Sequence, residues 1–138
     1  LEVPEVEEMT RQRLQEISPS FIRMRNPVDI WPAAYDHGIE FAYREGMEAV
    51  LKDPNIDAVV PILMITDDTG VPSLDFIVDL KAKYPEKPIY VTFSAEKKHM
   101  EGAKAYLEPR GVPTFFFIEE PFEVLSILAR CRKAMERP

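Results

Sequence analysis

Two short polar stretches carry the residue types from which a binding site could be built. The first is Asn26-Pro27-Val28-Asp29, where a carboxamide and a carboxylate bracket a proline. Pro27 fixes its own φ and biases Asn26 toward extended geometry, and short polar side chains beside it bond nearby backbone. The second is Thr66-Asp67-Asp68-Thr69-Gly70, directly ahead of a helical pattern. Its hydroxyls and its glycine could approach an anion at a helix N-terminus, where unpaired N–H groups and the helix dipole favour negative charge. Asp67 and Asp68 oppose that anion, and their simpler role is to cap and solvate the loop.

Other chemistry is poorly supported. Two adjacent carboxylates without a third oxygen ligand do not define a magnesium or calcium site, so no metal site is assigned. His37 and His99, the two histidines, stand in polar helical contexts without a serine or cysteine nucleophile nearby, and read as surface residues. No catalytic residue is assigned. Glycine-rich phosphate loops, Cys-x-x-Cys and His-Glu-x-x-His patterns do not occur.

The elements that must hold these stretches follow from periodicity. Ile39, Tyr43, Met47 and Val50 fall on one helical face that ends at Asp53-Pro54. Asp57 to Ile65 is then nearly continuous apolar and β-branched sequence, as in a parallel strand covered on both faces, although Pro61 interrupts it. A helix through Ile77, Leu80 and Tyr84 precedes a strand in "KPIYVTFS", with Ser94 placed to cap a helix bearing Met100, Ala103 and Leu107. "PTFFFIEE" reads as a further strand, and Pro121 suits the first turn of a helix with Val124, Leu128, Cys131 and Met135 on one face. "PEVEEMTRQRLQEI" should be helical, while "LEV" and "FIRMR" are either short strands or connections.

This alternation predicts right-handed βαβ units on a parallel sheet, an α/β fold in one domain over residues 1–138. Three strands leave such a sheet incomplete, so the pattern expects another strand to precede Leu1. In open parallel sheets ligands bind beyond the carboxyl ends of the strands, which directs attention to the loop at Thr66.

A formal charge of -7 without a basic patch speaks against nucleic acid and anionic membrane surfaces. No apolar run is long enough to span a bilayer, and the pattern reads as cytoplasmic. Cys131, the single cysteine, excludes an internal disulfide, and its helical register predicts a buried thiol.

"NPVDI", "YREGMEAVLKDPNIDAVVPILM", "KPIYVTFS" and "GVPTFFFIEEPFEVLSIL" together resemble one domain of the ADP-forming acyl-CoA synthetases. It is the flavodoxin-like segment similar to the C-terminal domain of the succinyl-CoA synthetase β subunit. The resemblance implies a three-layer αβα fold lacking its first strand, excised from a larger acid-thiol ligase such as an acetyl-CoA synthetase. It also implies a reaction in which acid, coenzyme A and ATP give acyl-CoA, ADP and phosphate through an acyl phosphate and a phosphohistidine.

In that family this domain supplies a wall of the acyl-phosphate site and binds no cofactor itself. ATP or ADP, Mg and coenzyme A are engaged by the histidine-bearing, CoA-binding and ATP-grasp domains, which are the implied partners. Asn26 matches the asparagine near the acyl substrate, and Asp29 matches the acid of the same motif, there to brace the amide. Thr66, Thr69 and Gly70 stand where the succinyl enzyme has a glycine pair, and the acidic character here departs from that pattern. The implied role is an accessory domain inactive alone. A regulatory or interaction domain that kept the fold is the alternative, and the open sheet edge leaves room for a homodimer.

Overall fold

Helix α3 (Ile39–Lys52) is the element around which the chain is organised, because it is amphipathic on more than one side. Ile39, Ala42, Tyr43, Met47 and Leu51 enter the main core, while Ala49 faces a second, smaller cluster with Leu14 and Met24. Helix α1 (Glu8–Glu16) covers that second side, and Gly46 lets the Ile30 side chain lie directly on α3. The computed structural model describes residues 1–66 and 71–136.

After α1 the chain runs without strand structure through residues 17–30, so "FIRMR" is a connection, as is "LEV" at the start. Helix α2 (Trp31–His37) follows, and Gly38, at φ +89°, ends it and starts α3. That backbone conformation is one glycine adopts at little cost. Strand β1 (Ile62–Met64), helix α4 (Asp75–Lys83), strand β2 (Val91–Ser94), helix α5 (Lys97–Leu107), a 3₁₀ turn (Glu108–Arg110), strand β3 (Thr114–Phe115) and helix α6 (Glu120–Met135) complete the order. The strands lie in the order β1-β2-β3, all parallel, with Ile62 opposite Thr92 and Thr92 opposite Phe115. This is the α/β architecture that the alternating pattern predicts.

The strands are shorter than their apolar runs. Pro61 has no N–H to give the ladder, so the run from Asp57 contributes only a bridge, Val59 to Ile89, before the regular strand begins. Ser94 closes β2 instead of capping the next helix, which starts after Glu96.

One sheet face is fully covered. Leu63, Ile65, Ile89, Val91 and Phe93 meet side chains of α3, α4 and α5 in a single core. Successive side chains of a strand point to opposite faces, so Ile62, Met64, Thr92 and Phe115 form the other face. There the cover is uneven: Thr92 of the central strand is 0% exposed, its partner Ile62 on β1 40%. Helix α6 contributes no side chain to either core cluster, and Pro121 is its only buried residue. Cys131 is exposed, contrary to the buried thiol its periodicity suggests. The stripe of Val124, Leu128, Cys131 and Met135 does exist, but only Val124 is partly buried and the other three are exposed.

Candidate functional site

The carboxyl ends of the strands define the rim on which a ligand would sit. At the end of β1 the Ile65 N–H donates to the Ser94 carbonyl at 3.1 Å, so Thr66 and the end of β2 lie side by side. Thr66 is exposed there. Thr69 and Gly70, with Asp67 and Asp68, lie outside the described residues.

From residue 71 onward the entrance to α4 is organised by Asp75. Ser73 Oγ donates to its carboxylate at 3.1 Å and accepts the Asp75 N–H at 3.4 Å. The Tyr106 hydroxyl, from α5, donates to the same carboxylate. That phenol and Ser73 hold the Asp75 carboxyl below its usual range, and the Tyr106 phenol is raised chiefly by the same bond. Val71, Ser73, Asp75, Gly102 and Tyr106 line a shallow depression beside the rim. Tyr106 gives no sign of this in the sequence, since the pairing joins two helices across 31 residues.

The Asn26–Asp29 turn is built differently from its expected form. Asn26 is half-buried, follows Arg25 into a cis bond with Pro27, and donates from its side-chain nitrogen to the Pro4 carbonyl at 2.9 Å. The turn is thereby tied to the segment ahead of α1. A carboxamide carries two N–H groups and an acceptor oxygen, so this bond uses one of its donors. Asp29 is exposed, and its Oδ1 accepts the Trp31 N–H at 3.2 Å at the entrance to α2. Its hydrogen bond thus fastens the start of a helix and does not run to Asn26.

Asp29 nonetheless stands close to the sheet. The Tyr43 hydroxyl donates to the Ile62 carbonyl of β1 at 2.6 Å. Burial pushes that phenol up; a hydrogen bond at Met64 pulls it back, and the Asp29 carboxylate pushes it further up. Tyr43 therefore bonds β1 and lies within electrostatic reach of Asp29. Sequence periodicity reads Tyr43 as one more apolar position of α3 and does not reveal this link.

The structure thus bonds Tyr43 to β1, sets Thr66 at the rim and anchors Asn26 on Pro4. Among the described residues, no group of three or more His, Cys, Asp or Glu side chains is arranged to hold a metal ion. His37 packs edge-on against Phe41, with ring centroids 5.6 Å apart. No helix, among the described residues, is long and apolar enough to cross a membrane.

Comparison with known proteins bears on this arrangement. No family model matches the chain. The chain is 28% identical over 134 residues, 96% of its length, to an ADP-forming acetate–CoA ligase II of Archaeoglobus fulgidus, of which it spans 20%. It is 28% identical over 130 residues to the α subunit of an ADP-forming acetate–CoA ligase II of Pyrococcus furiosus, covering 91% of this chain and 27% of that subunit. A crystal structure of a Pyrococcus horikoshii OT3 protein superposes with a TM-score of 0.64 at 28% identity, over 83% of this chain and 26% of that one. The chain is thus similar to a small part of each longer ligase, and the similarity runs through almost all of it.

Proposed function

We propose that residues 1–138 act as an accessory α/β domain of an ADP-forming acyl-CoA synthetase, forming part of the wall around its acyl-phosphate and phosphohistidine intermediates. The observation that carries this reading is the match along 96% of the chain to one fifth of an acetate–CoA ligase. A domain matched so completely to so small a part of a ligase is a component of the catalyst, and the nucleotide, Mg and coenzyme A fall to other parts.

On this reading the rim at Thr66 and the Asn26–Asp29 turn face the acyl group. The remaining N–H of Asn26 can donate to a carbonyl or phosphoryl oxygen while Pro4 fixes the amide plane. Thr66 brings a hydroxyl to the rim, while Thr69 and Gly70 lie outside the described residues. The engagement of Asn26 by Pro4 and of Asp29 by Trp31 favours a second reading, a regulatory domain that retains the turn for its own folding.

The deciding experiment uses the natural polypeptide that carries this segment, with its partner subunits if it has them. Incubated with ATP, Mg, coenzyme A and a panel of carboxylic acids, it should yield acyl-CoA, ADP and phosphate. The 138-residue chain alone should yield none. A folded natural protein that makes no thioester from any acid would remove the ligase reading and leave the regulatory one.

A further inference from the structure

The two edges of the sheet are finished in different ways. The order β1-β2-β3 leaves β1 and β3 outermost, and β3, at two residues, is too short to seed a further strand. β1 lies in a longer apolar run, and from Val59 to Ile65 that run carries no charged residue, the usual means of discouraging strand addition. Proline is another such means, but the Pro61 carbonyl accepts the Thr92 N–H at 3.1 Å, so Pro61 faces β2 and leaves the outer side unguarded. Nor is the edge shielded from solvent, since Ile62 is 40% exposed.

What stands on the outer side is Tyr43. Pro61 and Ile65 bond β2, so the alternating residues Ile62 and Met64 turn their backbone groups outward. The Tyr43 hydroxyl donates to the Ile62 carbonyl at 2.6 Å and accepts the Met64 N–H. One residue of a parallel neighbour does the same, giving its N–H to one carbonyl and taking the N–H two residues further along. A single hydroxyl thus fills the place of a strand residue. It is held there firmly, because Tyr43 is 7% exposed and shares the main core with Leu63 and Ile65.

We infer that the Tyr43 hydroxyl is the stop on this edge, occupying the position of one strand residue and so preventing a second copy of the chain from adding its own β1 there. It does the work of the charge that the edge lacks. A strand from outside residues 1–138 would have to displace the same hydroxyl, and the test below separates that case. The inference does not draw on the ligase reading.

Tyr43→Phe removes the hydroxyl and keeps the ring. In the natural polypeptide that carries this segment, it should speed hydrogen exchange at the Met64 amide by about tenfold or more, while the Ile65 amide, bonded to Ser94, keeps its rate. Raising the concentration of the variant should then produce a larger species in sedimentation, absent from the unmutated protein, in which the Met64 amide is protected again. Unchanged Met64 exchange in the variant would overturn the inference, because a segment other than Tyr43 would then cover the edge. Fast Met64 exchange with no added association would overturn it too, since the bond would exist without keeping copies apart. If the variant does not fold, the unmutated protein decides by NMR. There the Tyr43 hydroxyl proton should exchange slowly and show a cross-peak to the Met64 amide, and a rapidly exchanging hydroxyl would refute the stop. None of these readouts uses thioester synthesis, so this inference and the ligase reading stand or fall separately.

Discussion

The buried carboxylate of Asp53 accepts the backbone N–H of Glu7 at 2.7 Å, joining positions 46 residues apart. Its other oxygen accepts the Asn55 N–H at 2.9 Å, and the Thr10 hydroxyl bonds it as well. One side chain thus fixes the start of α1 against the end of α3. Asp53→Ala removes the acceptor and leaves a backbone donor without its partner, a loss of about 2–3 kcal/mol by the usual worth of hydrogen bonds to a charged group. Urea denaturation checks this, and an unchanged midpoint would show that α1 docks without it.

The same residue sets a pH response. Burial pushes the Asp53 carboxyl up, but the bonds from Thr10, Asn55 and Glu7, with Lys87 nearby, outweigh it and hold the group below its ordinary value of 3.8. A depressed folded-state pKa gives stability that is complete above the unfolded pKa and is lost as pH falls through the folded one. Denaturation midpoints should therefore fall below about pH 4 in the native chain, and fall less steeply in Asp53→Asn.

Glu48 ties α3 to the end of α4. Its carboxylate accepts from Lys83 at 2.6 Å, pairs with Lys52 at 3.0 Å and accepts the Tyr84 hydroxyl at 3.2 Å. Lys83, then Lys52, hold its pKa down to about 2. Both lysines are largely exposed, so the network is screened, and Glu48→Gln should cost only about 1 kcal/mol at low salt. The difference should shrink in high salt. Because the folded pKa is depressed, it should also vanish as pH drops from about 4.5 toward 2.

Gly46 is small because Ile30 needs the space. A Cβ there would meet Ile30 Cδ1 at 3.0 Å and Cγ1 at 3.2 Å. Replacing a mid-helix glycine by alanine ordinarily gains up to about 1 kcal/mol. Here crowding of a packed side chain should cancel that gain or exceed it, by roughly 1–3 kcal/mol of overpacking. Combining Gly46→Ala with Ile30→Val should recover stability relative to the sum of the two single changes. Strict additivity would show that Ile30 moves aside freely.

Asn26→Ala separates the two roles open to the turn. If the amide serves the acyl group, thioester synthesis by the natural protein should fall at least tenfold, about 1.4 kcal/mol of transition-state stabilisation, with nucleotide binding unchanged. If it serves only Pro4, the change should cost about 1 kcal/mol of folding stability and leave the rate per folded molecule as it was.

Much of the architecture was legible because periodicity reports buried faces. Ile39, Tyr43 and Met47 marked the core side of α3, Asp53 marked its end, and Pro121 stands in the first turn of α6 as the sequence suggested. Periodicity does not report what lies opposite a face, which is why the register of Cys131 predicts burial while the thiol is exposed. Ladder geometry was equally hidden: Pro61 shortened β1 to three residues although the apolar run is far longer. At the candidate site, residue type located the turn but not its partners. Asn26 bonds a carbonyl 22 positions earlier and Tyr43 one 19 positions later, and no local pattern encodes such separations.

The uncharged border of β1 has a practical consequence at the bench. Warmed on its own, the 138-residue chain should clump through that border once heating releases it from Tyr43, faster than it refolds, so its melting curve will depend on heating rate. Fold energies for this protein should be taken from chaotrope titrations shown to reverse on dilution, never from calorimetric scans.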